Sequence, residues 1–98
     1  MAYAQPGHRL LHVGVNFRSG PPKVQEFDTL MNAATSWYRY ANNCWLLWTS
    51  ANAKGWYEYL APHITTEDYM YICEINRADS YGWLPKGAWD WMTNNGIR

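Results

Sequence analysis

The stretch Trp37-Tyr38-Arg39-Tyr40-Ala41-Asn42-Asn43-Cys44-Trp45-Leu46-Leu47-Trp48-Thr49 decides how the chain folds. Two runs rich in aromatic and apolar residues, Trp37 to Ala41 and Cys44 to Thr49, flank Asn42-Asn43. Asparagine tolerates positive φ, so the pair suits a two-residue hairpin turn between antiparallel strands. Regular pairing about that turn sets Trp37 opposite Trp48, Arg39 opposite Leu46 and Tyr40 opposite Trp45.

Upstream of the hairpin, Lys23 to Ala34 reads as a helix. Val24, Phe27, Met31 and Ala34 recur at spacings of three and four and form one apolar stripe. Pro22 suits the first helical position, and Glu26 and Asp28 lie near the end where the helix dipole favours negative charge. Further upstream, Arg9 to Arg18 reads as a strand. Leu11, Val13, Val15 and Phe17 alternate there with His12, Gly14 and Asn16, and Ser19-Gly20-Pro21-Pro22 ends the run. Residues 1–8 read as a loose tail and residues 9–98 as a single domain.

Downstream, Ser50 suits the cap of a second helix running to about Leu60, with Ala53, Trp56, Tyr57 and Leu60 as its stripe and Pro62 as its stop. Tyr69 to Asn76 reads as a fourth strand, with Tyr71, Cys73 and Ile75 alternating with Met70, Ile72 and Glu74. Pro85 opens a short last helix with Trp89 and Met92 facing in and Gly96 just past its end. The order is strand, helix, strand, strand, helix, strand, then a terminal helix. It predicts an α+β fold of the ferredoxin-like split βαββαβ kind. Right-handed crossovers give a four-stranded antiparallel sheet in the order 4-1-3-2, with both main helices on one face.

The chain of 98 residues has room for one hydrophobic core. Eight basic and eight acidic side chains cancel, so bulk charge does not drive binding to a long polyanion. Seven Trp and eight Tyr make aromatic area, not charge, the distinctive resource. The longest apolar run, Cys44 to Trp48, falls far short of the ~20 residues that span a bilayer, so no membrane partner is expected. Met1 to Gly7 lacks a basic stretch followed by an apolar core, so no signal peptide is read and a cytoplasmic location is expected. Cys44 and Cys73 fall on strands separated by the first, about 9.6 Å apart and too far for a disulfide. They read as buried free thiols.

The sheet face opposite the helices is expected to be open. It carries Leu10, His12, Gly14, Asn16 and Arg18 from the first strand and Met70, Ile72 and Glu74 from the fourth. If Arg39 points the same way, Trp37, Leu46 and Trp48 join it. An apolar face of that size marks an interaction surface. It predicts a homodimer or higher homo-oligomer packed sheet on sheet, or a flat ligand held by stacking. Arginine pairs with phosphate in a bidentate manner and Trp or Tyr stacks on bases. The candidate ligand-binding residues are therefore Arg39, Trp37, Trp48, Arg18, Asn16 and His12, and the candidate ligands are a nucleotide or a short RNA segment. A protein partner is the alternative, with an exposed Trp near Trp83 as its anchor.

Catalytic signatures are absent from the sequence. His8, His12 and His63 do not stand at metal-ligand spacing, and the carboxylates are scattered. Glu67-Asp68 reads as a solvated loop, whereas Glu74, if buried, needs Arg39 or Arg18 as a partner. Nothing orients a base for a Cys44–His12 nucleophile pair. The prolines of Ser19-Gly20-Pro21-Pro22 remove the N–H groups a phosphate would need. No catalytic residue, metal or cofactor is predicted.

The run Trp37 to Thr49, then a helix, then Tyr69-Met70-Tyr71-Ile72-Cys73-Glu74-Ile75, resembles the small SinR-like and VapD-like proteins related to the compact CRISPR adaptation nucleases. The resemblance covers residues 9–76 in topology. It implies the ferredoxin-like fold and a homodimer. In nucleases of this type an Asp at the end of the first strand helps to hold a divalent metal, and Asn16 stands at that position here. A neutral amide suits Mg²⁺ poorly. The sequence thus predicts a non-catalytic homodimeric binding module suited to bacterial or phage regulation, including interference with a defence system. The alternatives are a degenerate metal-dependent nuclease and a purely structural self-assembling protein.

Overall fold

The computed structural model describes residues 7–97. Its elements are β1 (Arg9–Asn16), α1 (Val24–Met31), β2 (Ser36–Ala41), β3 (Cys44–Thr49), α2 (Ala53–Leu60), β4 (Tyr69–Glu74) and α3 (Lys86–Asn94). Short 3-10 turns at Ala61–His63 and Arg77–Asp79 complete the path. The four strands are antiparallel in the order β2-β3-β1-β4. This is the expected order read from the opposite edge, and the fold is α+β.

One face of the sheet makes the main core. Leu11, Val13 and Val15 of β1 and Trp45 and Leu47 of β3 meet Phe27 and Met31 of α1 and Trp56 and Leu60 of α2. Period two on the strands and period 3.6 on the helices turn these residues to one interface. Each large side chain buried this fully contributes about 1.5–3 kcal/mol. The second helix starts at Ala53, not near Ser50, because Asn52 caps it. The Asn52 side chain accepts from Gly55 N at 2.9 Å.

Two expectations about facing are corrected. In β2, Trp37 lies opposite Leu47 and Arg39 opposite Trp45, one residue away from the predicted pairing. Ala41 does pair with Cys44 across the turn, but an irregularity between Arg39 and Ala41 inserts Tyr40 as an extra residue. A bulge of one residue reverses the facing of everything beyond it. Trp37 and Arg39 therefore point to the α1 side. In β4, Ile72 pairs with Val13 and Met70 with Val15, so both face the main core. Tyr69, Tyr71 and Cys73 take the opposite face with Asn16, Gly14 and His12. Met70 and Ile72 carry no polar atom that needs water, whereas a tyrosine hydroxyl does.

The face expected to be open is covered in part by α3. Met92 and Ile97 pack on Leu10, Leu46 and Trp48 in a second cluster, and Ala88 is fully buried beside them. Trp91 Nε1 donates to Ser36 Oγ at 2.8 Å, fixing α3 to β2. The helix ends where Gly96 takes a φ of +69°, and Ile97 N turns back to Met92 O at 2.9 Å. Neither Trp89 nor Trp91 is exposed; Trp83, in the preceding loop, is fully exposed. Residues 1–6 of the expected tail lie outside the described residues. His8 is not loose: its Nε2 lies 2.7 Å from Thr35 Oγ1 and its ring centroid 5.5 Å from that of Trp48.

Candidate functional site

The six residues predicted to hold a ligand fall in three places. Arg39 and Trp37 work within the fold. Arg39 Nε donates to Asp28 Oδ1 at 3.0 Å, and Trp37 Nε1 donates to Asn32 Oδ1 at 2.8 Å. Trp48 is buried beneath α3. His12 lies mid-face, its Nε2 2.6 Å from Tyr40 Oη. Asn16 and Arg18 are exposed at the end of the sheet that α3 leaves uncovered.

That uncovered end carries the most distinctive surface chemistry. Tyr69 lies opposite Asn16, and Tyr71 opposite Gly14. The two tyrosines are neighbours on one face of β4, spaced about 6.7 Å by the strand repeat. Tyr69 is 60% and Tyr71 75% exposed. The Arg18 guanidinium lies over the Tyr69 ring, 4.7 Å from its centroid. Gly14 leaves the sheet floor beside Tyr71 without a side chain, and on the other side of Gly14 stands Cys44. Asn16 and Asn43 border the same shallow depression, with Asn43 Oδ1 accepting from Cys44 Sγ at 3.7 Å.

The local fold ties the loops at this end together. Asp68 is buried, not solvated, and joins the loop after β1 to the loop before β4. Its Oδ1 accepts from Arg18 N at 2.7 Å and Ser19 N at 3.1 Å, and its Oδ2 accepts from Thr65 N at 2.9 Å. These backbone donors, Thr65 first, then Arg18 and Ser19, hold the Asp68 carboxyl down to about 2. Arg18 is therefore fixed at its backbone while its guanidinium lies over Tyr69.

Toward α3 the face becomes a cavity of ≈ 240 Å³ bounded by His12, Tyr40, Leu84, Trp89 and Arg77. Burial lowers the His12 pKa, so the ring is neutral at pH 7. Burial, with the nearby Cys44 thiol adding to it, pushes Tyr40 up to about 12, so its phenol is protonated. His12 is thus engaged by Tyr40, and the Cys44–His12 pair considered from sequence is not formed. Both cysteines are free and half-buried, less deeply than expected. Glu74 is exposed and pairs with Arg9 at 3.3 Å, in place of Arg39 or Arg18. Among the described residues, no three His, Cys, Asp or Glu side chains are grouped to hold a metal ion. Among the same residues no helix is long and apolar enough to cross a membrane.

Sequence reasoning missed Tyr69, Tyr71 and Gly14 as site residues and Asp68 as their support. The signal for Asp68 was present: in Thr65-x-x-Asp68 the carboxylate can reach back to the Thr65 N–H, as the acidic residue of a capping box does. The phase of β4 had no such signal, because both of its faces carry apolar side chains. The chain matches no family model, no curated protein and no solved structure.

Proposed function

We propose that this protein is a ferredoxin-like, non-catalytic binding module that takes a nucleotide or a short unpaired RNA segment on the uncovered end of its sheet. The observation that carries the reading is the side-by-side exposure of Tyr69 and Tyr71 beside the bare floor at Gly14. A base lying on the Gly14 floor stacks against the Tyr71 ring, since every base has a π-face to offer. Arg18 then meets a phosphate, and the Asn16 and Asn43 amides meet base-edge donors and acceptors. The formal net charge of zero favours a nucleotide or short segment over a long duplex. A regulatory role in bacteria or phages, in the cytoplasm, follows from the resemblance to SinR-like and VapD-like proteins. Asn16 at the metal-ligand position of the related nucleases supports binding without cleavage.

Calorimetric titration with nucleoside monophosphates and a hexaribonucleotide tests this. Tyr71→Ala is expected to weaken binding by about 1–3 kcal/mol, roughly five- to 150-fold. Arg18→Ala is expected to lower affinity and to reduce the salt slope by about one. Equal affinities in wild type and Tyr71→Ala, or Mg²⁺-dependent cleavage of the RNA, contradict the proposal.

Self-association through aromatic surface is the second reading, because Tyr81 and Trp83 are fully exposed beside α3. Native mass spectrometry separates the two. A dimer that Trp83→Ala dissociates, with no nucleotide bound, favours the second.

A further inference from the structure

At the opposite end of β1 lies a cleft of ≈ 430 Å³ whose wall includes His8, Arg9, Trp48, Glu74, Arg77 and Ile97. Four buried side-chain polar atoms have no hydrogen-bond partner among the described residues: His8 Nδ1, Arg9 Nε, Trp48 Nε1 and Arg77 Nε. All four belong to residues of this one cleft. Native proteins pair nearly all buried polar groups, so such a concentration calls for a physical reason.

The chemistry of the four atoms is one-sided. A guanidinium Nε and an indole Nε1 can only donate. His8 Nδ1 donates when Nε2 accepts from Thr35 Oγ1, a bond of 2.7 Å. The complement of three or four unpartnered donors from the wall of one cleft is a group that only accepts. Charge points the same way. Arg9 is matched by Glu74 at 3.3 Å. Arg77 has only Ser80 Oγ at 3.2 Å and the face of Trp89, and no carboxylate within ion-pair distance among the described residues. With Arg9, Arg77 and Glu74 in the wall, the cleft carries one net positive charge. Trp48 is itself only 7% exposed, so its orphaned N–H belongs to the interior and not to a solvated rim.

We propose that this cleft binds a small oxyanion, a carboxylate or phosphate group, held by Arg77 and Arg9 with the Trp48 indole N–H as the third donor. All four atoms are shielded from solvent, so the two guanidinium groups turn toward the anion and open its way to the Trp48 N–H. The guanidinium fork matches the two oxygens of either group. The site is independent of the tyrosine platform. The two lie about 20 Å apart along β1 by the strand rise, beyond the reach of one nucleotide.

The test is an amide and indole NMR titration of the full ¹⁵N-labelled chain with sodium phosphate and, separately, sodium acetate. Chloride at matched ionic strength is the control, and Trp48→Phe assigns the indole resonance. The Trp48 N–H resonance is expected to move saturably with at least one of the two anions and not with chloride. The anion giving the lower midpoint identifies the group the cleft takes. Arg77→Lys, which keeps the charge but loses the fork, is expected to raise that midpoint roughly tenfold. Arg9→Lys repeats the test should Arg77→Lys not fold, and Tyr71→Ala is expected to leave the midpoint unchanged. A Trp48 resonance that no anion moves, that chloride moves equally, or that responds identically in the lysine variants overturns the site.

Discussion

Asp28 illustrates how single side chains set the facing of whole strands. Its Oδ1 accepts from Arg39 Nε at 3.0 Å and from Trp45 Nε1 at 2.9 Å, one donor from each strand of the hairpin. Arg39 and Trp45 are also direct cross-strand partners. Asp28→Ala leaves both donors without an acceptor and is expected to cost about 2–4 kcal/mol in urea denaturation. Nucleotide affinity is expected to be unchanged, because Asp28 lies on the far side of the sheet from Tyr71. Asp68 acts at the other end. Its pKa is depressed from 3.8 to about 2, so its contribution to stability is fully present above pH 4 and is lost as pH falls through 2. Asp68→Asn is expected to lower the melting temperature at neutral pH and to flatten the fall between pH 4 and pH 2. It also releases the Arg18 backbone, so affinity for the nucleotide is expected to drop with it.

At the scale of elements, the number and order of strands and helices were legible in the sequence, and the facing of two strands was not. The apolar stripes Val24-Phe27-Met31 and Trp56-Leu60, and the alternation from Leu11 to Val15, each had one clear solution. The β2 facing turned on a bulge at Tyr40. In Trp37-Tyr38-Arg39-Tyr40 aromatic rings fall on both faces of the strand, so the pattern does not betray such a bulge. The coverage by α3 was half legible. Met92 and Gly96 were placed correctly, but a helix of nine residues does not announce which face it will cover. The candidate site shared that fate: Asn16 and Arg18 lie at the uncovered end, Trp48 and His12 toward α3, and Trp37 and Arg39 on the far side. The docking of α3 depends on close approach at Gly87, where an added Cβ stands 2.5 Å from Tyr38 Oη and 3.3 Å from Tyr38 Cζ. The Tyr38 ring is held by Trp91, with centroids 6.3 Å apart. Gly87→Val is therefore expected to loosen α3, by about 1–3 kcal/mol as overpacking commonly costs. Faster hydrogen exchange at Trp91 and Met92 is the readout.

At the scale of the whole molecule, the sheet has two unlike faces. One is a continuous core under α1 and α2. The other is divided into a part sealed by α3 and a part left bare. Among the described residues, only the bare part combines exposed aromatic rings, a fixed arginine and a floor without side chains. The central claim is that this part is where the protein meets its ligand. Gly14 gives it a sharp test, because a Cβ there lies 3.4 Å from His12 Cε1, at the short end of ordinary contact, so the floor has room for a side chain to begin. The most direct measurement is a chemical-shift map of the ¹⁵N-labelled protein titrated with a hexaribonucleotide, run on wild type and on Gly14→Val. The account predicts shifts centred on Gly14, Asn16, Arg18, Tyr69 and Tyr71 in wild type, and their loss in Gly14→Val with the remaining spectrum intact. Shifts centred on Trp37 and Arg39, or a Gly14→Val protein that binds as wild type does, would contradict it.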